Sequence, residues 1–108
     1  MAKRTPPVYP GARRQLVALG QRLRAARLRR DLTQAMLAER VGVTVPTIAK
    51  LESGVATTSL STMLRVLQIL GFASDIDVIA AVDEQGRALQ DSKLSRATPK
   101  KVVSREPH

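Results

Sequence analysis

The segment from Thr33 to Gly54 constrains the fold of this chain more than any other stretch. Its apolar residues recur at helical spacing, and a capping threonine precedes each run, which predicts two short helices, Gln34 to Val41 and Val45 to about Ser53. Helices this short bury little surface alone, so we expect them to cross closely and to pack on further helices. The residues predicted at the crossing are Ala38, Gly42, Ile48 and Leu51.

Two more helices complete the predicted core. One covers residues 11–30, with an apolar face of Leu16, Leu19, Leu23 and Ala26 and an opposite face rich in arginine. The other begins after Thr58 or Ser59 as N-cap and ends at Gly71. Its predicted apolar stripe consists of Leu60, Leu64, Leu67 and Ile69 or Leu70, widened by Met63 and Val66.

The two central helices, with Arg27 ahead of them and Glu52 closing the second, resemble the helix-turn-helix of the Cro/C1-type (XRE) repressor family. The resemblance covers about residues 19–72 and includes the LTQ start and the LESG end of the motif. It implies a mainly α, lambda-repressor-like four-helix DNA-binding domain. It also implies that Arg27 and Glu52 form a buried ion pair with a structural role.

The same resemblance implies how the domain meets DNA. In this docking mode the second helix of the motif enters the major groove by its N-terminal end. The expected base-facing residues are Val45, Pro46, Ala49 and Lys50, and the expected phosphate-facing residues are Gln34, Thr44 and Thr47. Val45 and Pro46 can touch a thymine methyl group but cannot donate hydrogen bonds to a base, so we expect specificity to rest partly on DNA shape. Thr44 and Thr47 also suit a purely structural role as cap and turn residues.

Basic side chains concentrate at both ends of the sequence. The chain has 18 Lys and Arg against 9 Asp and Glu; residues 1–40 hold ten basic and two acidic groups, whereas residues 41–91 hold three and six. A field of this sign attracts a polyanion and makes binding depend on salt. We expect some of the first helix's arginines to contact phosphates.

Residues 73–82 depart from the common pattern of the family. Ile76, Val78, Ala80 and Val82 recur with a period of two, which predicts a β-strand. Because a lone strand leaves its edges unpaired, we expect this C-terminal β-strand to pair with its copy across a symmetric dimer. A short helix capped by Asp75 is the alternative.

The expected organisation has four parts: a disordered basic arm over 1–10, the helix-turn-helix domain over 11–72, the dimerisation strand over 73–82 and a flexible basic tail over 83–108. The tail is expected to begin with a turn around Gly86. Lys3 and Arg4 of the arm are candidates for a DNA contact, and an ordinary frayed terminus is the alternative. No apolar run approaches the roughly 20 residues of a membrane span, and the basic start lacks the apolar run of a signal peptide. We therefore expect a cytoplasmic protein.

The segment TTSLSTMLRVLQILGF, followed by a strand, resembles the HipB-like antitoxins. This resemblance implies a homodimer on a palindromic operator in double-stranded DNA, and a HipA-like serine/threonine kinase as partner. The alternatives are a free-standing repressor and an interaction subunit that has lost DNA binding. An enzyme is not expected, because the chain has no cysteine, its single histidine is His108 and its carboxylates are scattered. Neither a cofactor nor a metal site is predicted.

Overall fold

The computed structural model of this chain describes residues 8–97, and all regular structure in this part is helical. The α-helices are α1 (Pro10–Arg29), α2 (Gln34–Val41), α3 (Val45–Glu52), α4 (Leu60–Leu70) and α5 (Glu84–Ala97), and a 3₁₀ helix covers Ala73–Val78. The prediction of a mainly α fold is confirmed. The chain divides into two compact units, of which the first ends at Ile76 and the second begins at Asp77. Lys3, Arg4 and His108 lie outside the described residues.

Local sequence sets the ends of the helices in the first unit. Thr33, Thr44 and Ser59 precede α2, α3 and α4, and each side-chain oxygen accepts the backbone N–H three residues later, at 3.0, 3.4 and 3.1 Å. Gly42 and Gly71 follow α2 and α4 with φ of 84° and 90°, a left-handed conformation that glycine adopts without steric cost. α1 begins at Pro10, within the predicted arm, because proline suits the first turn of a helix.

The core of the first unit is aliphatic. α2 packs on α3 and α4, and α1 packs on α3. The buried apolar residues are Leu23, Ala26, Leu32, Leu37, Ala38, Val41, Ile48, Leu51, Val66 and Leu70. The prediction for α4 was partly wrong, because Leu60 is 68% exposed and Leu64 and Ile69 lie on the surface. α4 has apolar residues on most of its circumference, so spacing alone did not indicate which face packs inward.

α1 and the C-terminal end of α3 meet main chain to main chain. A Cβ atom added to Gly20 would lie 2.5 Å from the carbonyl oxygen of Glu52, and one added to Gly54 would lie 2.6 Å from Cα of Val17. Only glycine permits so close an approach. Gly42 was predicted at a helix crossing, but a Cβ there would meet nothing within 4 Å. The tight crossing therefore involves α1, and Gly42 acts only as the left-handed end of α2.

The predicted dimerisation strand does not form within the described residues. Ala73–Val78 is a 3₁₀ helix, and Ala80 follows in a left-handed conformation with φ of 58°. Ile76 is half-buried, whereas the side chains of Val78 and Val82 are 73% and 71% exposed. A strand requires the hydrogen bonds of a neighbouring strand, and this segment instead forms short-range backbone bonds. The alternative, a short helix, is confirmed as to the helix, but this helix starts at Ala73, so Asp75 lies inside its first turn and is not its cap.

α5 occupies a segment that was predicted as a turn and the start of a flexible tail. Asp83 caps the helix, since its Oδ1 accepts the backbone N–H of Gly86 at 2.7 Å. The side chains of α5 are largely exposed, including Leu89 at 61%. The turn predicted around Gly86 was wrong, because a capped first turn accommodates glycine. This helix depends on its cap and on intrinsic propensity rather than on burial.

Candidate nucleic-acid interface

The outward face of α3 carries the four residues that were predicted to face bases. They are Val45, Pro46, Ala49 and Lys50, of which Ala49 is half-buried and the others are exposed. The opposite face of the helix is buried through Ile48, Leu51 and Glu52. The four residues are therefore brought together on one accessible side of an eight-residue helix, which we name the reading face.

A pair of hydroxyl groups lies at the start of α3. Thr44 Oγ1 and Thr47 Oγ1 are 2.9 Å apart, and the backbone N–H of Thr47 donates to Thr44 Oγ1. Thr44 is exposed and Thr47 is half-buried. Both hydroxyls take part in the cap of α3, which is the structural role that was predicted for these two residues as the alternative to a phosphate contact. Their position beside the reading face leaves a phosphate contact open to them as well.

Arg27 and Glu52, which were expected to pair, are both buried and lie in contact. Arg27 Nε donates to Glu52 Oε2 at 2.6 Å, and Nη2 donates to Oε1 at 3.0 Å. The remaining nitrogen, Nη1, donates to the carbonyl oxygen of Leu32 at 2.7 Å. The hydrogen bond to Glu52 raises the pKa of Arg27, although burial opposes this effect. One charged side chain therefore links α1, the connection to α2 and the end of α3.

Gln34 is placed differently from the other residues that were expected to face phosphates. Its side chain is half-buried, and its amide Nε2 donates to Glu52 Oε1 at 3.1 Å. The amide nitrogen must be the atom that faces Glu52, because a carboxylate accepts and cannot donate. The Gln34 side chain thus extends the buried ion pair with one amide N–H, and its second amide N–H and its backbone N–H remain at the start of α2.

The arginines of α1 do not form one continuous surface. Gly20 faces α3, and Arg24 lies one turn later on the same side of the helix. Arg22 and Arg29 line a surface groove on another flank, together with Phe72. The arginine-rich face that the sequence predicted is therefore divided between two flanks.

Sequence reasoning missed Gly20 and Leu32, which help to position α3. Leu32 is buried, and its carbonyl oxygen accepts the bond from Arg27. Gly20 is a lone glycine in a segment otherwise favourable for helix, where glycine costs about 1 kcal/mol relative to alanine. Such a residue usually has a packing reason. The isolated glycine could therefore have indicated a close helix contact. The sequence does not indicate that the end of α3 is the element in contact.

Residues 23–75 match the model of a helix-turn-helix family. The matched segment contains the last seven residues of α1, the motif helices α2 and α3, and α4. Residues 23–75 form a Cro/C1-type helix-turn-helix domain. This domain implies DNA binding, and its second motif helix is α3, which carries the reading face. No curated protein gives a significant match to the chain.

The Cro/C1-type domain and the rest of the described chain have few other features that could form a site. Residues 8–97 contain no helix that is both long and apolar enough to span a bilayer. Within the same residues, no three His, Asp or Glu side chains are grouped as a metal ion would require. A second groove, between α1 and α4, is lined by Leu19, Arg22, Leu23, Leu67, Phe72 and Asp75. None of these residues belongs to the motif helices of the Cro/C1-type domain.

Proposed function

We propose that this protein is a sequence-specific DNA-binding transcriptional repressor, which acts as a homodimer on a two-fold symmetric operator. The observation that carries the proposal is the exposed reading face on α3, supported from behind by the buried pair of Arg27 and Glu52. A helix held in this way inserts into the major groove as a rigid element, with its first turn toward the base edges. Occupation of a promoter by the dimer then excludes the transcription machinery.

Phosphate contacts supply most of the affinity in this proposal. The backbone N–H groups at the starts of α2 and α3 carry partial positive charge, and Thr44 and Thr47 add hydroxyl groups beside the second of them. The basic side chains of α1 increase the local concentration of DNA. A dimer with ~6–10 phosphate contacts loses about 10³–10⁵ in affinity between about 50 and 200 mM salt.

Two copies are required because one reading face of four side chains covers few base pairs. Two reading helices related by a dyad enter successive major grooves, so the half-sites lie about one helical turn, ~34–36 Å, apart or a multiple of it. The exposed apolar residues after the domain, including Val78 and Val82, are candidates for contacts between copies. Sedimentation of the full chain should show a dimer at micromolar concentration. A monomer unaffected by deleting residues 73–108 contradicts this part of the proposal.

A gel shift with the protein's own promoter tests DNA binding. The double variant Lys50→Glu, Thr47→Ala should lose specific binding and remain folded, because neither residue is a core position. Arg65→Glu is the charge-matched control for Lys50→Glu, since Arg65 is exposed on α4, outside the motif helices. Normal binding by the double variant means that the reading face is assigned incorrectly. A folded wild-type protein without any footprint supports the alternative of an interaction subunit.

A role as a HipB-like antitoxin is the narrower form of this proposal, with a HipA-like serine/threonine kinase as partner. Its support is the resemblance of residues 57–72, which fold as the capped helix α4 and Phe72. The strand that completed the resemblance is replaced by a 3₁₀ helix, so repression of a promoter is the broader and better supported function. Co-purification of a kinase encoded next to this gene tests the narrower form. A free chain that represses its promoter without such a partner contradicts it.

A further inference from the structure

The reading face offers little to the hydrogen-bonding groups of a base pair. Val45, Pro46 and Ala49 present only apolar side-chain atoms, and Val45 keeps 40% of its surface exposed. Lys50 is the one member with a donor, and its ammonium group is a flexible point charge that bonds equally well to a guanine edge or a phosphate. The reading face therefore combines one mobile hydrogen-bond donor, the ammonium group of Lys50, with a rigid apolar surface.

The neighbouring hydroxyl groups do not change this balance. The 2.9 Å contact between the hydroxyls of Thr44 and Thr47 engages the proton of one hydroxyl with the oxygen of the other. Thr44 Oγ1 also accepts the N–H of Thr47. One hydroxyl proton is used within the cap and one remains, so the pair adds a single donor beside the reading face, which suits a phosphate contact better than the paired hydrogen bonds that identify a base.

α3 is not free to present another set of side chains. Rolling the helix by one position turns it by about 100° and would expose Glu52, which holds hydrogen bonds from Arg27 and Gln34. The contacts of Gly20 and Gly54 also fix the end of α3 at main-chain distance from α1. The apolar composition of the reading face is therefore a fixed property of the domain.

Among the four natural bases, thymine alone places an apolar group, its C5 methyl, in the major groove. We propose that Val45 and Pro46 recognise thymine methyl groups, so that each half-site of the operator carries thymine where these two side chains meet the DNA. This inference rests on the proposed function as a DNA-binding repressor, and it identifies the chemical group that the protein reads.

The experiment uses the full chain and DNA that differs only by methyl groups. Selection from a random duplex library first gives the preferred two-fold sequence. Synthetic operators then replace thymine by deoxyuridine at one symmetric pair of positions at a time, which removes the methyl groups and keeps every hydrogen-bonding atom. Burial of one methyl group corresponds to about fourfold in affinity, so the critical pair should cost about 15-fold.

Variants assign the effect to side chains. In Val45→Ala or Pro46→Ala, the loss caused by deoxyuridine at the matching position should largely disappear, because the partner of the methyl group is already absent. Leu64→Ala is the control, since it removes an equally accessible apolar side chain from α4 and should keep the full loss. Thermal melting of each variant confirms that it is folded.

The outcomes separate the inference from the function on which it rests. A selection without any preferred sequence overturns both. A preferred sequence whose affinity is unchanged by every deoxyuridine substitution overturns methyl recognition and leaves the repressor standing. A loss that persists in both alanine variants also overturns the inference, because another residue then contacts the methyl group.

Discussion

The helix-turn-helix unit and the segment after Ile76 use their apolar residues in different ways. In the first unit, capped helices direct their aliphatic side chains into one core. In the second, Val82 and Leu89 remain exposed and α5 has little buried surface. An apolar pattern therefore predicts structure reliably where capping residues and helical periodicity indicate the same element and its apolar face joins a common core. It predicts structure poorly where periodicity is the only signal.

The largest effect should come from the buried ion pair of the first unit. Arg27→Ala leaves the carboxylate of Glu52 buried without its partner and should lower the free energy of unfolding by about 3–5 kcal/mol. Arg24→Ala also removes one positive charge from α1, but from an exposed position, and should change the free energy of unfolding by less than about 0.5 kcal/mol. Denaturant unfolding of the two variants measures the difference. Equal stabilities would show that the pair does not hold the domain together.

The two sides of α4 give the next comparison. Leu70→Ala opens a cavity in the core and should cost about 2–5 kcal/mol. Leu60→Ala changes a side chain in water and should stay within about 0.5 kcal/mol. Melting temperatures of both variants test which face of α4 packs inward. A large loss from Leu60→Ala would support the stripe predicted from the sequence.

Alanine at two glycines of α1 should act in opposite directions. Gly20→Ala forces a Cβ against the backbone of α3 and should destabilise by about 1–3 kcal/mol. A Cβ at Gly11 has open space, its nearest neighbour being an Arg14 side-chain nitrogen at 3.8 Å, so Gly11→Ala should stabilise by up to about 1 kcal/mol. Calorimetry on both variants makes the comparison. Stabilisation by Gly20→Ala would contradict the main-chain contact.

Polar substitutions after the first unit should have little effect on folding. Val78→Ser and Val82→Ser alter exposed side chains and should each change the free energy of unfolding by less than about 0.5 kcal/mol. Unfolding should be followed at a fixed low protein concentration, so that association between copies does not contribute. A larger loss would mean that these residues belong to a folded core, as the strand hypothesis required.

The smallest expected effect is the pH dependence that Arg27 contributes. Its pKa is raised above the ordinary arginine value, chiefly by the hydrogen bond to Glu52. The stability contributed by a raised pKa is complete below the unfolded value and is lost only as the pH rises through the folded value. The destabilisation caused by Arg27→Ala should therefore be the same at about pH 7 and pH 10, where arginine stays protonated. A marked difference between denaturant midpoints at the two values would contradict this.

The sequence predicted the motif accurately because its signals are local. Thr33, Thr44 and Gly42 determine helix ends within a few residues of themselves, and the helix bounds followed to within one residue. The resemblance also supplied the pairing of Arg27 with Glu52. The contact of Gly20 with α3 was not predictable, because it depends on how two distant helices cross.

The two failures beyond α4 share a cause. The alternation around Val78 favoured a strand, but no neighbouring strand in the described residues completes its hydrogen bonds. Gly86 was interpreted as a turn, although Asp83 caps a helix that contains it. In both segments no core decides between competing local preferences, so composition and spacing were insufficient.

The main-chain contacts of Gly20 and Gly54 affect how this domain can diverge. They attach α3 to α1 through backbone atoms, and the fully buried side chains of α3 lie on the face opposite the reading face. With Val45 and Pro46 as the proposed base-reading residues, substitutions there after gene duplication create a new sequence preference at little cost in stability. Selection for new targets is then separated from selection for folding, and a lineage of such DNA-binding domains can acquire distinct target sequences on one unchanged scaffold.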